Sequence, residues 1–284
     1  MERANHPIAW LCHALEVSRP GYYAWRRRPE SQRVREDRRL SVLVRATHAE
    51  SRRHYGSPRV HAELASKGER VGRKRIARLM RQEGLQGRVR RRYKCTTMSE
   101  HDQPIAPNLL DRQFEASGPN QRWVGDTTEI LVGSGRMYVA AILDLYSRLI
   151  VGWALSAVND RHLALRALQQ ALKRRCPEMG LLHHSDQGST YASDDYRQAL
   201  ETNGITCSMS RRGNCLDNAA MESWFSTLKS ELGERFESAA AAKHELFDYI
   251  EVFYNQKRRH SALGYLCPAE YEQRYTPLAA TEAA

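Results

Sequence analysis

Three acidic residues stand where a carboxylate can do chemistry. Asp126 lies in Trp123-Val-Gly-Asp-Thr-Thr-Glu-Ile130, a run that reads as a strand. Asp186 follows a short apolar run in His183-His-Ser-Asp-Gln-Gly-Ser-Thr-Tyr191, and Glu222 sits in the helical run Asp217-Asn-Ala-Ala-Met-Glu-Ser-Trp-Phe225. Between Asp186 and Glu222 there are 35 residues. About one Asp–Glu pair is expected by chance at any given separation, so context carries the weight. A central-strand Asp is costly to bury unless it is paired or binds metal. A strand-end Asp near a Gly lies where α/β folds place ligands. Glu222 flanks the apolar stripe Met221, Trp224, Phe225, Leu228 and Leu232 by about 100°, so it can face a site at the sheet edge. Lys229, seven residues on, points along the same side. Three convergent carboxylates without His or Cys suit Mg²⁺ or Mn²⁺. Two such ions, about 3.5–4 Å apart, activate a water or 3′-hydroxyl and stabilise the leaving oxygen of a phosphodiester. Lys229 would contact the substrate phosphate. The plainer alternative has Asp126 and Asp186 capping turns and Glu222 on a solvated helix face. It is favoured for any one acid alone, but not for three in this order.

These acids need a scaffold. Strands are expected at 122–132, 136–145 and 149–155, with a hairpin turn at Gly133-Ser134-Gly135. A helix at 160–175, a short strand at 181–184, a helix at 193–202 and a strand at 205–208 follow. Two more helices are expected, at 217–232 and 239–254. Antiparallel strands followed by alternating helix and strand define a mixed sheet flanked by helices, and this order matches a ribonuclease-H-like α/β domain.

Ahead of that domain the chain is basic and helical. Residues 1–100 hold 25 basic and 10 acidic residues, whereas residues 101–284 hold 19 and 23. Such asymmetry points to a polyanion-binding module joined to something else. Residues 1–54 read as a helical region, with Ser18 capping a helix around Pro20 and a basic amphipathic helix at 33–48. The first stretch fits a small helix-turn-helix or a plain helical hairpin equally. Residues 55–87 read as a helix-turn-helix. In it Ser57 caps a helix from Pro58, 67–72 turn, and Ile76, Leu79 and Met80 share one face of the second helix. Arg59, Arg73, Lys74, Arg75, Arg78 and Arg81 are the expected DNA contacts there, set against a helical hairpin with a solvated charged face. Arg90, Arg91 and Arg92 sit in a basic, then polar, linker (88–114) that could track a phosphate backbone. The catalytic part is expected at 115–275 and a tail at 276–284.

The whole chain of 284 residues carries a net charge of +11 and is 41% hydrophobic, which fits a globular protein. No apolar stretch reaches about 18 residues, so no membrane span is expected. The N-terminus does not read as a signal peptide. The 6 cysteines form no CxxC pair, so reduced thiols in a cytoplasmic protein are expected.

The blocks YGSPRVHAEL, NQRWVGDTTEI, HSDQGSTYAS, SRRGNCLDNAAMESWFSTLKSEL and YNQKRRHSALGY, with CPAEY after Leu266, run from Tyr55 to Tyr271. In them the chain resembles the transposase and integrase superfamily with a D, D-35-E core. More closely, it resembles the second-reading-frame (OrfB) transposases of the IS3 family of bacterial insertion sequences. The resemblance implies that Asp126, Asp186 and Glu222 ligate two Mg²⁺ (or Mn²⁺) ions and that Lys229 is the basic residue following the Glu. His184 and Asn218 fall in its signature blocks, His184 being either an outer support of the site or simply satisfied within the fold. Asn255, Arg259 and His260 are expected to serve structure rather than DNA contact. The resemblance further implies strand cleavage at terminal inverted repeats and 3′-hydroxyl transfer into target DNA, by at least a dimer on paired ends, in the bacterial cytoplasm at the nucleoid. It also implies a partner: the upstream-frame (OrfA) product, often fused by frameshifting, which supplies a leucine zipper. This chain has no sustained heptad. Two other readings are a DNA-binding regulator with an idle core and a nuclease that cuts RNA–DNA hybrids. The intact triad argues against the first and the helix-turn-helix against the second.

Overall fold

The computed structural model describes residues 6–88, 104–212 and 214–276, with Cys215 described in its backbone only. Arg90, Arg91 and Arg92 lie outside the described residues.

The N-terminal part is all helix: α1 (Ile8–Ala14), α2 (Arg19–Arg27), α3 (Gln32–Glu50), α4 (Ser57–Ser66) and α5 (Arg73–Gln82). Ser18 caps α2 by accepting from the Gly21 amide at 3.1 Å, and Ser31 caps α3 in the same way. Ser57, expected as the cap of α4, is its first helical residue. The cap position belongs to Gly56, with no side-chain bond. Ile76, Leu79 and Met80 are buried, as their spacing requires. α3 packs across both α4 and α5, so the unit is three-helical rather than a bare hairpin.

The second part is a mixed sheet of β1 (Arg122–Val132), β2 (Gly135–Asp144), β3 (Ile150–Ser156), β4 (Leu182–Ser185) and β5 (Thr206–Met209), in the order β3-β2-β1-β4-β5. β1 pairs antiparallel with β2, and β2 with β3; β4 runs parallel to β1, and β5 to β4. The helices are α6 (Arg161–Arg175), the single turn α7 (Ser189–Ala192), α8 (Asp194–Thr202), α9 (Ala219–Glu231), α10 (Ala239–Phe247) and α11 (Pro268–Tyr275). A two-residue strand β6 (Arg235–Phe236) pairs with the far end of β1. The helix expected at 217–232 opens with a 3₁₀ turn at Cys215–Asn218. The one expected at 239–254 changes to a π turn at Asp248–Tyr254. Among the described elements, α7, β6 and α11 were not expected. They are too short or too polar for periodicity to mark.

Alternation along β1 divides the core. Trp123 faces α6 and α8, packing with Leu163, Leu168, Tyr196 and Leu200. Val124 and Ile130 face α9 and α10, packing with Met221, Trp224, Phe225 and Tyr249. α6 lies so close to β3 that a Cβ on Gly152 would stand 2.2 Å from the Ala167 carbonyl oxygen. Gly152→Ala is therefore expected to push α6 off the sheet and cost about 3 kcal/mol, at the upper end of overpacking, read as a lowered urea midpoint. An unchanged midpoint would refute this close approach.

Candidate active site

β1 and β4 build the first half of the site. Val124 pairs with His184 across the two parallel strands. Two residues further along each strand direction stand Asp126 and Asp186, so their Cα atoms are near neighbours across a spacing of about 4.8 Å. Asp126 belongs to the β1 face that packs on α9. The Thr127 amide donates to its Oδ1 at 2.7 Å. Asp186 stands just past β4, where the strand ends and its carboxylate accepts from the Gly188 amide at 3.0 Å.

α9 supplies the third acid. Asn218, at its N-cap, donates to the Gly125 carbonyl at 3.3 Å, fastening the helix start beside the residue that precedes Asp126. Glu222 comes one turn later. All three acids are half-buried, as a site open to a large substrate requires. Burial and then the charge of Asp186 push the Asp126 carboxyl well above its ordinary range, against an opposing bond from the Thr127 amide and with a smaller push from Glu222. Among the described residues no three His, Cys, Asp or Glu side chains close tightly enough to enclose an ion. An all-oxygen donor set of three carboxylates fits a hard divalent cation.

This arrangement predicts a reversal with cation. A carboxyl whose folded pKa is raised gives stability below its unfolded pKa that is lost as pH rises through the folded one. Without divalent cation, Asp126→Asn is expected to melt above wild type at neutral pH. Adding Mg²⁺ should raise the wild-type Tm and leave the variant unmoved. Equal responses in the two proteins would contradict a cation at Asp126.

Gly188 is a positioning residue that the sequence reading left without a role. A Cβ there would stand 3.0 Å from Asp186 Oδ1. Gly188→Ala is expected to shift that carboxylate by tenths of an ångström and to slow cleavage about tenfold, with circular dichroism unchanged. Wild-type rates would remove Gly188 from the account.

Asn218 touches the site through β1, whereas His184 does not. Its Nδ1 and Nε2 meet the hydroxyls of Ser208 and Ser210 at 2.8 and 3.0 Å, and burial lowers its pKa to about 4. It is a neutral, satisfied core histidine. Asp217 is a buried latch. It accepts from Arg211 Nε and Nη2 (2.9 and 2.8 Å), Arg112 Nε (2.9 Å) and Asn108 (3.0 Å), which hold its carboxyl below the usual range. Arg211 lies in the same signature block as Asp217, whereas Arg112 has no motif spacing that could have revealed it. Lys229, half-buried in the last turn of α9, brings its ammonium to 3.8 Å from Glu234.

The arginines expected to meet DNA divide into two groups. Arg73, Lys74 and Arg81 are exposed. Arg75 and Arg78 instead reach back to Asp37 on α3, at 2.7 and 2.5 Å. Arg59 turns inward, lying over the Tyr55 ring and 3.9 Å from Glu231. These three act inside the fold because α3 and the catalytic part present the nearest carboxylates. In the C-terminal block, Asn255 bonds both backbone groups of Ile150 at 3.0 Å, Arg259 pairs with Glu63 and Glu270, and His260 packs on Tyr254. All three make contacts within the fold.

A mixed sheet of this order, carrying an acid on its central strand, a second beside it and a third on a crossing helix, is a polynucleotidyl-transferase core of the integrase type. Family models agree: integrase core domain matches at residues 116–215 and 203–268, and an HTH-like domain at 35–93. The chain is 42% identical over 272 residues to an insertion element IS600 uncharacterized 31 kDa protein of Shigella sonnei, covering 95% of this chain and 100% of that one. It is 38% identical over 276 residues to the transposase InsF for insertion sequence IS3A of Escherichia coli K12, covering 96% of each. Among solved structures it is similar in fold to a simian T-cell lymphotropic virus intasome chain, with 13% identity, a TM-score of 0.49 and coverage of 85% of this chain and 79% of that one. The chain belongs to the IS3 family of insertion-sequence transposases. Among the described residues no helix is long and apolar enough to cross a membrane.

Proposed function

We propose that the chain cuts DNA at the terminal inverted repeats of its own insertion sequence and joins the freed 3′-hydroxyl to a target phosphodiester. The observation that carries this reading is the placement of Asp126, Asp186 and Glu222 on β1, just past β4 and on α9. In this account those acids hold two Mg²⁺ or Mn²⁺ ions. The ions, when bound, supply Lewis acidity for the attacking and leaving oxygens. Asn218 and Gly188 keep the acids in register, and Lys229 turns from Glu234 to the substrate phosphate. Double-stranded DNA enters across the helical unit, with the exposed Arg73, Lys74 and Arg81 at its phosphates or base edges. Residues 55–87 and 115–275 serve as binding and catalytic domains. Two ends are held by at least a dimer, with the upstream-frame product as partner, at the bacterial nucleoid in the cytoplasm.

The test is incubation of a labelled terminal-repeat duplex with Mg²⁺ or EDTA. Cation-dependent cutting at the repeat's 3′ end is expected. Cutting of an RNA–DNA hybrid in preference to the duplex would reassign the enzyme as a hybrid nuclease, and repeat-specific binding with no cutting would make it a regulator.

A further inference from the structure

α9 has two working flanks. At 100° per residue, Ser223, Thr227 and Ser230 project about 120° around the helix from Glu222 and Lys229. The serine–threonine flank lines a pocket of about 610 Å³ bounded on its other sides by the helical unit and the loop after the π turn. Arg59, Arg88, Arg148 and Arg258 line it, against Glu231 as the single acid among the described lining residues.

Glu231 is already consumed. Its oxygens accept from Arg258 Nη2 and Nε at 2.6 and 2.8 Å. Arg88 donates only to the carbonyls of Ser230 and Glu231, and Arg148 to that of Phe114, so neither has a carboxylate partner among the described residues. Burial lowers the pKa of Arg148 and of Arg59, and burial together with Arg258, Arg59 and Arg148 holds His260 neutral. One further group is unsatisfied. Trp224 is 3% exposed, lines the pocket, and its indole N–H has no acceptor among the described residues. Uncompensated guanidiniums and a dry indole donor call for an anion with several acceptor oxygens.

We propose that this pocket binds a backbone phosphate of a DNA strand, on the flank of α9 opposite the catalytic acids and beside the helical unit. The inference rests on the strand-transfer reading and adds a contact to it. A DNA strand is favoured over a free nucleotide because the pocket opens between the helix-turn-helix unit and the core.

The test measures binding of a fluorescent 30-base-pair duplex of arbitrary sequence across a KCl series, for wild type and Arg88→Gln/Arg148→Gln. Each phosphate contact contributes about 0.9 to the slope of log K against log salt. The variant is expected to lose about 0.9 of slope and about tenfold or more in affinity, with Arg88→Lys/Arg148→Lys restoring most of both. An unchanged slope in a folded variant overturns the proposal. If the Gln pair fails to fold, Trp224→Phe decides: DNA-dependent tryptophan quenching should fall, and undiminished quenching overturns the pocket. dAMP at millimolar concentration should not displace the duplex; displacement would assign the pocket to a free nucleotide instead. The two readings fail separately. Wild type that cuts its repeat while the variant keeps the full slope loses only the pocket, whereas wild type that neither binds nor cuts DNA loses the strand-transfer reading as well.

Discussion

Glu222→Gln is expected to abolish Mg²⁺-dependent cutting of the terminal repeat while leaving DNA affinity within about twofold. The substitution keeps size and helix propensity and removes one negative charge from the cluster that raises Asp126. A cation held by three carboxylates loses a ligand and a charge, and the stabilisation of the attacking and leaving oxygens goes with it. A fall of about 10³-fold or more corresponds to at least about 4 kcal/mol of transition-state stabilisation. DNA affinity should survive because it belongs to cations outside the carboxylate cluster, and one fewer negative charge at the site can only favour a polyanion. Gel-shift and cleavage assays on the same protein separate the two effects. Retention of more than a tenth of wild-type cutting would remove Glu222 from the machinery.

Arg258→Ala is expected to be the most damaging change outside the site. Arg258 and Glu231 form a buried pair, each about 6% exposed in its side chain, with Tyr249 donating to the same carboxylate at 2.8 Å. The pair joins the end of α9 to the C-terminal helices, and Arg59 and Arg88 tie the helical unit to the same point. Removing the guanidinium leaves a buried carboxylate uncompensated, at a cost of about 3–5 kcal/mol. The pH dependence gives the mechanism. Burial raises the Glu231 pKa, but Arg258 and Tyr249 override it and hold it below its usual value. That stabilisation is present above the unfolded carboxyl's pKa and is lost as pH falls through the folded one. In the variant Glu231 is buried without that partner, and protonation relieves it. The deficit measured by urea unfolding should therefore be largest near neutrality and shrink on acidification. A deficit that is constant with pH would mean lost packing rather than an orphaned charge.

Long, strongly patterned elements were legible in the sequence. β1 runs over 122–132 as its flanking residues predict, and α6 follows from Asp160 as cap with Leu163, Ala164, Ala167, Leu168 and Ala171 on one buried face. Asp126 stood out because an acid in such a strand is expensive, and Glu222 because the helical angle sets it beside an apolar stripe. The partners of the arginines were not legible. Whether Arg75 and Arg78 meet DNA or Asp37 depends on where α3 packs, a long-range fact without local signature. Asp144 shows the same limit. Its carboxyl is buried, holds the Asn120 and Tyr146 amides, and is pushed up to about 6 mainly by burial, yet it closes a turn rather than serving the site. Sequence position alone does not distinguish it from Asp126; the facing helix does.

The central claim is that Asp126, Asp186 and Glu222 hold cations together. Crystals of the wild-type chain with its terminal-repeat DNA, soaked in Mn²⁺ and measured for anomalous scattering, test it most directly. Two peaks about 3.5–4 Å apart are expected, with oxygens of all three acids within ligand distance of the pair. Peaks elsewhere, or a site that leaves out any of the three carboxylates, would contradict it.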